Sequence, residues 1–140
     1  MPPPARPVTL SPRRTGSYGY VVAPGAKPFC EVRQCSGAVV GTYYLQANQR
    51  GGGAHVANCG YVTAAKSAGR GVACAMCAHS LDVARARGFR AMQFNLVVAT
   101  NERAIRLWEQ CGFAIVGRLP GAFRHPRLGP VDALVMYRTL

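Results

Sequence analysis

Apolar and polar positions change their spacing several times along the 140 residues. "PFCEV" and "GAVVGTYYLQ" are short runs rich in β-branched and aromatic residues, which fit a pleated, half-buried surface. The intervening "RQCSG" has turn-forming composition, so a β-hairpin is predicted. "NQRGGG" then breaks the chain with successive glycines, and "AHVANCGYVT" resumes as a strand. From about Gly71 to Arg87 the period becomes helical. Ala73, Met76, Cys77, Ser80 and Ala84 share one small or apolar side, and His79, Asp82 and Arg85 fall on the other. Gly88 is a fitting C-terminal stop. "AMQFNLVV" reads as the next strand. "NERAIRLWEQCGF" reads as a second amphipathic helix, with Ala104, Leu107, Trp108 and Cys111 inward and Glu102, Arg106, Glu109 and Gln110 outward. Glu102 and Arg106 form a supportive i,i+4 pair, and Gly112 ends the helix. "FAIVGRL" and "VDALVMYRTL" close the chain as strands around a loop, "PGAFRHPRLGP". The order β-β-β-α-β-α-β-β predicts an α/β domain with a mixed sheet over residues 28–140. Residues 1–27, rich in Pro, Arg and Gly without sustained periodicity, read as a mobile arm.

Composition adds charge to this picture. Seventeen Lys+Arg against five Asp+Glu give a formal charge of +12, which attracts an anionic partner such as nucleic acid, a membrane surface or a phosphorylated small molecule. Lys27 and Lys66 are the only lysines. That bias, with the abundant Ala and Gly, fits genome base composition as well as selection, so net charge alone does not choose among the three. No apolar stretch approaches membrane-spanning length, and "MPPPARPVTLSPRR" has no hydrophobic signal core, so the expected compartment is the cytoplasm. Of the six cysteines, Cys74 and Cys77 stand in C-x-x-C spacing, but no second such pair accompanies them and both lie in the helical pattern. They read as small buried thiols, and no metal is expected.

The chemistry concentrates where the first long helix begins, at "SAGRGVACAM". Glycine lowers helix propensity, so local folding does not call for Gly69 and Gly71 at that position. A helix start leaves its first N–H groups without internal partners and carries partial positive charge. Phosphate oxygens satisfy both needs, glycines let the main chain approach a bulky diphosphate, and Arg70 adds a cation. Taken alone, the hexapeptide from Ala68 to Ala73 serves equally as a bare turn whose glycines permit the bend.

In context, Tyr61 through Ala73 followed by Asn101 to Phe113 resembles the acetyl-CoA-binding core of the GCN5-related N-acetyltransferases. That family's pyrophosphate loop reads Arg or Gln, two residues, Gly, one residue, then Gly or Ala. Ala68-Gly69-Arg70-Gly71-Val72-Ala73 matches its last glycine and small residue, with Ala68 in place of the first polar side chain. The second block, an Asn opening a helix, an aromatic seven residues later and then Gly-Phe, is met by Asn101, Trp108 and Gly112-Phe113. Asn101 also suits an N-cap and Trp108 core packing; the resemblance adds contacts to the pantetheine arm. Many relatives have a Tyr at the aromatic position whose hydroxyl protonates the departing thiolate, which an indole does not do. The stretches "GTYYLQANQRGGGAHVANCGYV" and "MQFNLVVATN" look closest to a bacterial branch, and they resemble fungal enzymes that acetylate proline-like cyclic imino acids.

The resemblance implies a fold in which two middle strands, Asn58–Thr63 and Met92–Val98, splay apart. It also implies that Tyr61, Val62 and Thr63 offer a strand edge to the pantetheine, and that Gly69, Arg70, Gly71, Val72 and Ala73 hold the diphosphate. The amide of Val62 would steady the oxyanion as an amine attacks the thioester directly, with acetyl-CoA as co-substrate. No acyl-enzyme is needed, so Cys59 reads as structural. Asn58 and Asn95 stand at corresponding places on the two strands and would orient the acceptor; alternatively they satisfy buried backbone groups where the sheet opens. His55 reads as a surface residue, and Arg124, His125 and Arg127 as a solvated loop, with a homodimer contact left open. The strand and two helices that usually open the family fold are not recognisable in residues 1–27. Three functions therefore stand at this level: an N-acetyltransferase acting on a small amine or amino acid; a family-shaped remnant that binds CoA without catalysis; and a basic nucleic-acid-binding module, which lacks an aromatic-plus-basic recognition motif.

Overall fold

The computed structural model describes residues 8–9, 19–23, 29–34 and 36–140, with side chains from residue 30 onward apart from Cys35. The chain divides into two compact units. One comprises Met1–Gln46 with Cys59–Val83, the other Ala47–Asn58 with Ala84–Leu140.

In the first unit, β1 (Val8–Thr9), β2 (Gly19–Ala23), β3 (Phe29–Arg33) and β4 (Val39–Ala47) pair antiparallel in chain order. The β3–β4 hairpin is the one predicted. Its turn closes through Gly37 N–H to the Gln34 carbonyl at 2.8 Å and Gln34 N–H to the Ala38 carbonyl at 2.9 Å. On β4 the alternation is direct: Gly41, Tyr43 and Leu45 are buried, while Thr42 and Tyr44 are half-buried. The same unit contains the second part of β5 (Val56–Thr63) and most of α1 (Val72–Ala86). Helix α1 seats Met76 against β4 at Gly41, where a Cβ would stand 2.9 Å from the Met76 sulfur, so a larger residue there would require the Met76 side chain to shift. Within the segment expected to be an arm, β2 pairs along its length with β3, so that reading does not extend to Gly19–Ala23; "GYVVA" has the β-branched content of a strand. Apart from β1 and β2, residues 1–28 lie outside the described residues.

In the second unit, the first part of β5 runs parallel to β6 (Ala91–Val98). Strand β6 pairs antiparallel with β8 (Gly129–Thr139), and β8 with β7 (Ala114–His125). The β5–β6 ladder runs over Val56–Asn58 against Ala91–Gln93. Helix α2 (Glu102–Gln110) lies between β6 and β7 in sequence. Met92, Phe94, Val97, Phe113, Ala133, Leu134 and Met136 are buried. Phe94 stacks on Phe113 at 4.2 Å between ring centroids and meets Trp108 edge-on at 5.0 Å, which fixes the inward side of α2 as predicted. The Glu102–Arg106 pair forms at 3.3 Å on the exposed side.

Three expectations need correction. The loop predicted at "PGAFRHPRLGP" is mostly strand: β7 continues to His125 and resumes as β8 at Gly129 after a tight turn. The ladder shifts register between Leu119 and Phe123, and Asp132 holds that irregularity by accepting from the Arg118 guanidinium at 2.8 Å and the Gly121 N–H at 3.0 Å. Bulged edge strands tolerate Pro and Gly, which hid this one from pattern reading. His79 is buried (4 % exposed) rather than on the polar side of α1, and Cys74 of the C-x-x-C pair is exposed while Cys77 is buried.

Candidate active site

The first unit carries the turn that opens α1. Gly69 and Gly71 have φ of +75° and +80°, a region that residues with a Cβ enter at a cost, so both glycines are required by the path of the chain. The approach is a short 3-10 turn, Ala65–Ser67, with Ser67 buried and Ala68, Gly69, Arg70 and Gly71 exposed. The first helical hydrogen bond runs from Ala75 N–H to the Gly71 carbonyl at 3.0 Å. With glycine at the cap, no side chain there accepts from the amides of Val72 and Ala73 at the head of the helix. The exposed turn, with Arg70 between its two glycines, thus leads into the positive end of a fifteen-residue helix.

Strand β5 leads into this turn. Val62 is 67 % exposed and Thr63 is half-buried. Tyr61 points the other way: its hydroxyl bonds Ser80 Oγ of α1 at 2.7 Å, and Ser80 Oγ donates to the Cys77 carbonyl at 2.8 Å. Burial pushes the Tyr61 phenol well above its ordinary range, so it stays protonated. Burial also pushes the neighbouring Cys59 thiol up to about 12, despite hydrogen bonding with Tyr61 and Ser80, and this leaves it a poor nucleophile at neutral pH. A second buried pair, absent from the sequence reading, is Tyr43 Oη with His79 Nδ1 at 2.5 Å. Burial lowers the affinity of His79 for a proton, partly opposed by the Asp82 charge.

The second unit carries the asparagines. Asn58, 8 % exposed, donates from Nδ2 to the Gln93 carbonyl at 3.0 Å, on the last residue pair of the β5–β6 ladder. That bond is the backbone-satisfying role weighed for it, formed at the place the sequence indicated. Asn95 is exposed and sits with Leu96 in a β-bulge, because Phe94 pairs with Met136 but Val97 with Leu134. A bulge re-aims side chains, and here Asn95 Nδ2 donates to Asn48 Oδ1 at 2.7 Å while its Oδ1 accepts from Gln93 Nε2 at 2.9 Å. Asn48 and Gln93 were not singled out from the sequence. Partners 47 residues apart leave no periodic signal. Asn101 caps α2 by accepting from the Ala104 N–H at 3.2 Å, and Trp108 packs on Phe94. His55 is exposed, as expected. His125 Nδ1 accepts from the Arg127 and Leu128 N–H groups at 3.1 and 3.2 Å, which gives it a turn-forming role. Among the described residues there is no group of His, Cys, Asp or Glu placed to hold a metal ion, and no helix long and apolar enough to cross a membrane.

Comparison with known proteins places this chain in a family. The profile of the acetyltransferase (GNAT) family matches residues 5–113. A GCN5-related N-acetyltransferase structure from Kribbella flavida is 40 % identical, with a TM-score of 0.80 over 85 % of this chain and 72 % of that one. The N-acetyltransferase aca1 of Schizosaccharomyces pombe is 32 % identical over 99 residues, 70 % of this chain and 47 % of that protein. The chain therefore spans about half the length of this curated relative. A phosphinothricin acetyltransferase from Sinorhizobium meliloti, solved in complex with AcCoA, shares the fold at 23 % identity, with a TM-score of 0.72 over 81 % of this chain and 61 % of that one. The chain belongs to the GNAT acetyltransferase family.

Proposed function

We propose that the protein is an acetyl-CoA-dependent N-acetyltransferase whose acceptor is an amine of a small molecule or amino acid. The observation that carries this reading is the turn at Gly69 and Gly71. Two left-handed glycines there lead the chain into the start of α1 through an exposed turn, with Arg70 exposed between them. Donors in that arrangement suit the diphosphate of CoA, with Gly69, Arg70, Gly71, Val72 and Ala73 as its seat. The main chain of Tyr61, Val62 and Thr63 would pair with the pantetheine as an added strand, and the Val62 N–H would stabilise the oxyanion. Asn101 and Trp108 would contact the cofactor as in the family's second block, beside their roles in capping and packing.

Acetyl transfer is direct in this reading. Burial holds the cysteine on β5 protonated, which supports direct attack over a thioester on Cys59. The amine nitrogen forms the new bond to the acetyl carbonyl carbon, the carbon–sulfur bond breaks, and the amine proton passes to solvent. With Trp108 at the aromatic position the leaving thiolate departs without a protonating phenol, which a thiolate tolerates because it is a stable anion. Asn58 and Asn95 would orient the acceptor. The test is calorimetric titration with acetyl-CoA, followed by thiol release across a panel of amines and amino acids. Saturable binding with amine-dependent release is the expected result. Binding without release for any amine would indicate a CoA-binding remnant, and salt-sensitive binding of nucleic acid without response to CoA would indicate the basic module.

A further inference from the structure

Resting on the acetyltransferase reading, we propose that Asn48 and Gln93 are positioning residues that set which end of the Asn95 carboxamide faces the acceptor. A carboxamide has nearly the same shape either way round, so its partners decide its orientation. Here they decide it from both ends: Gln93 Nε2 supplies a donor to Asn95 Oδ1, and Asn48 Oδ1 supplies an acceptor to Asn95 Nδ2. Turning the Asn95 amide over by itself would set donor against donor and acceptor against acceptor, so it turns only if the Asn48 and Gln93 carboxamides turn with it. These two bonds take one of the two Asn95 N–H groups and one of the two lone pairs on its oxygen.

The main chains of both supporting residues are held, which fixes where their side chains start. Asn48 follows directly on β4 and donates its backbone N–H to the Val56 carbonyl at 2.8 Å, which fixes it across the start of β5. Gln93 sits in the β5–β6 ladder opposite Asn58, and its carbonyl accepts the Asn58 amide. Asn95, by contrast, lies in a bulge where the regular ladder gives no orientation to the backbone around it. The "NQRGGG" segment, which looks like a mere chain break, thus supplies the residue that orients a proposed acceptor contact. Binding of the acceptor depends on that orientation; binding of acetyl-CoA does not.

The experiment measures KM and kcat for the best amine, and KM for acetyl-CoA, in wild type and in Asn48→Ala, Asn48→Asp and Gln93→Glu. Side-chain amide NMR of Asn95 accompanies them as a readout independent of activity. Asn48→Ala is expected to raise the acceptor KM about three- to tenfold, the loss of one neutral hydrogen bond, with the acetyl-CoA KM unchanged. Asn48→Asp keeps an acceptor oxygen and is expected to rescue it. Gln93→Glu places an acceptor against Asn95 Oδ1 and is expected to impair the acceptor KM at least as much. The Asn95 amide protons should shift in Asn48→Ala and recover in Asn48→Asp. If wild type is active but Asn48→Ala leaves the acceptor KM unchanged, raises both KM values alike, or is not rescued by Asp, the positioning role is wrong while the enzyme assignment stands. If wild type acetylates no amine, the assignment itself fails and takes this role with it.

Discussion

Replacing Gly71 with Asp tests the phosphate seat with a magnitude that can be worked from geometry. The residue has φ of +80° at the entrance to α1, so any L side chain there carries a strain of roughly 1–2 kcal/mol. Gly71→Asn carries the same strain without charge and serves as the control. The aspartate adds a carboxylate beside the leading amides of the helix. At about 4 Å from a phosphate charge, like-charge repulsion is about 1 kcal/mol with water-like screening and about 4 kcal/mol at the screening typical of a protein surface. Because the turn is exposed, the effect should fall between these limits, a weakening of acetyl-CoA binding of roughly five- to 1,000-fold relative to Gly71→Asn. Calorimetric titration of both variants, with far-ultraviolet circular dichroism to confirm that each is folded, reads the difference. A folded Gly71→Asp protein that binds acetyl-CoA as tightly as Gly71→Asn would refute the diphosphate seat.

Two further expectations rest on buried groups of the first unit. With its thiol pushed up from 9.0 to about 12, Cys59 should alkylate about three orders of magnitude more slowly than an ordinary thiol at pH 8, while exposed Cys74 reacts readily; mass spectrometry after brief iodoacetamide treatment resolves the two, and fast labelling of native Cys59 would contradict the assignment. The same shift, being upward, contributes stability that is complete below pH 9.0 and declines as pH rises toward 12. His79 shifts the opposite way from 6.5, so its contribution is complete above pH 6.5 and falls as the pH drops below it, by at most about 1.4 kcal/mol per pH unit until the folded protein also protonates. Urea unfolding at pH 7.5 and 5.0 should show this slope in wild type and a shallower one in His79→Gln; equal slopes would show that the Tyr43–His79 pair is not its source.

Much of the fold was legible because local periodicity and punctuation agree with the tertiary result. "AMQFNLVV" is β6 in full, and α1 begins one residue after Gly71. The glycine turn at the helix start was legible too, and both of its glycines adopt the backbone that only glycine takes readily. What escaped was set by packing. The histidine assigned to the polar side of α1 is buried because the nearby β4 supplies Tyr43 to bond it, and no helical spacing reports a partner 36 residues away. The final loop became strand because Asp132 anchors an irregular stretch of β7, stabilising residues whose own propensity favours a turn.

The sequence by itself determined the order and type of the elements from β3 onward and the glycine turn at the head of α1. Those features depend on backbone freedom and on side-chain spacing within about twenty residues. Tertiary structure alone decided how the polar side chains are spent: Asn58 on the Gln93 carbonyl, Tyr61 on Ser80, and Asn95 between Gln93 and Asn48. The physical reason is that a hydrogen bond needs its donor and acceptor within about 3 Å. For residues distant in sequence, that proximity exists only once the strands have paired and the bulge has turned Asn95 toward its partners.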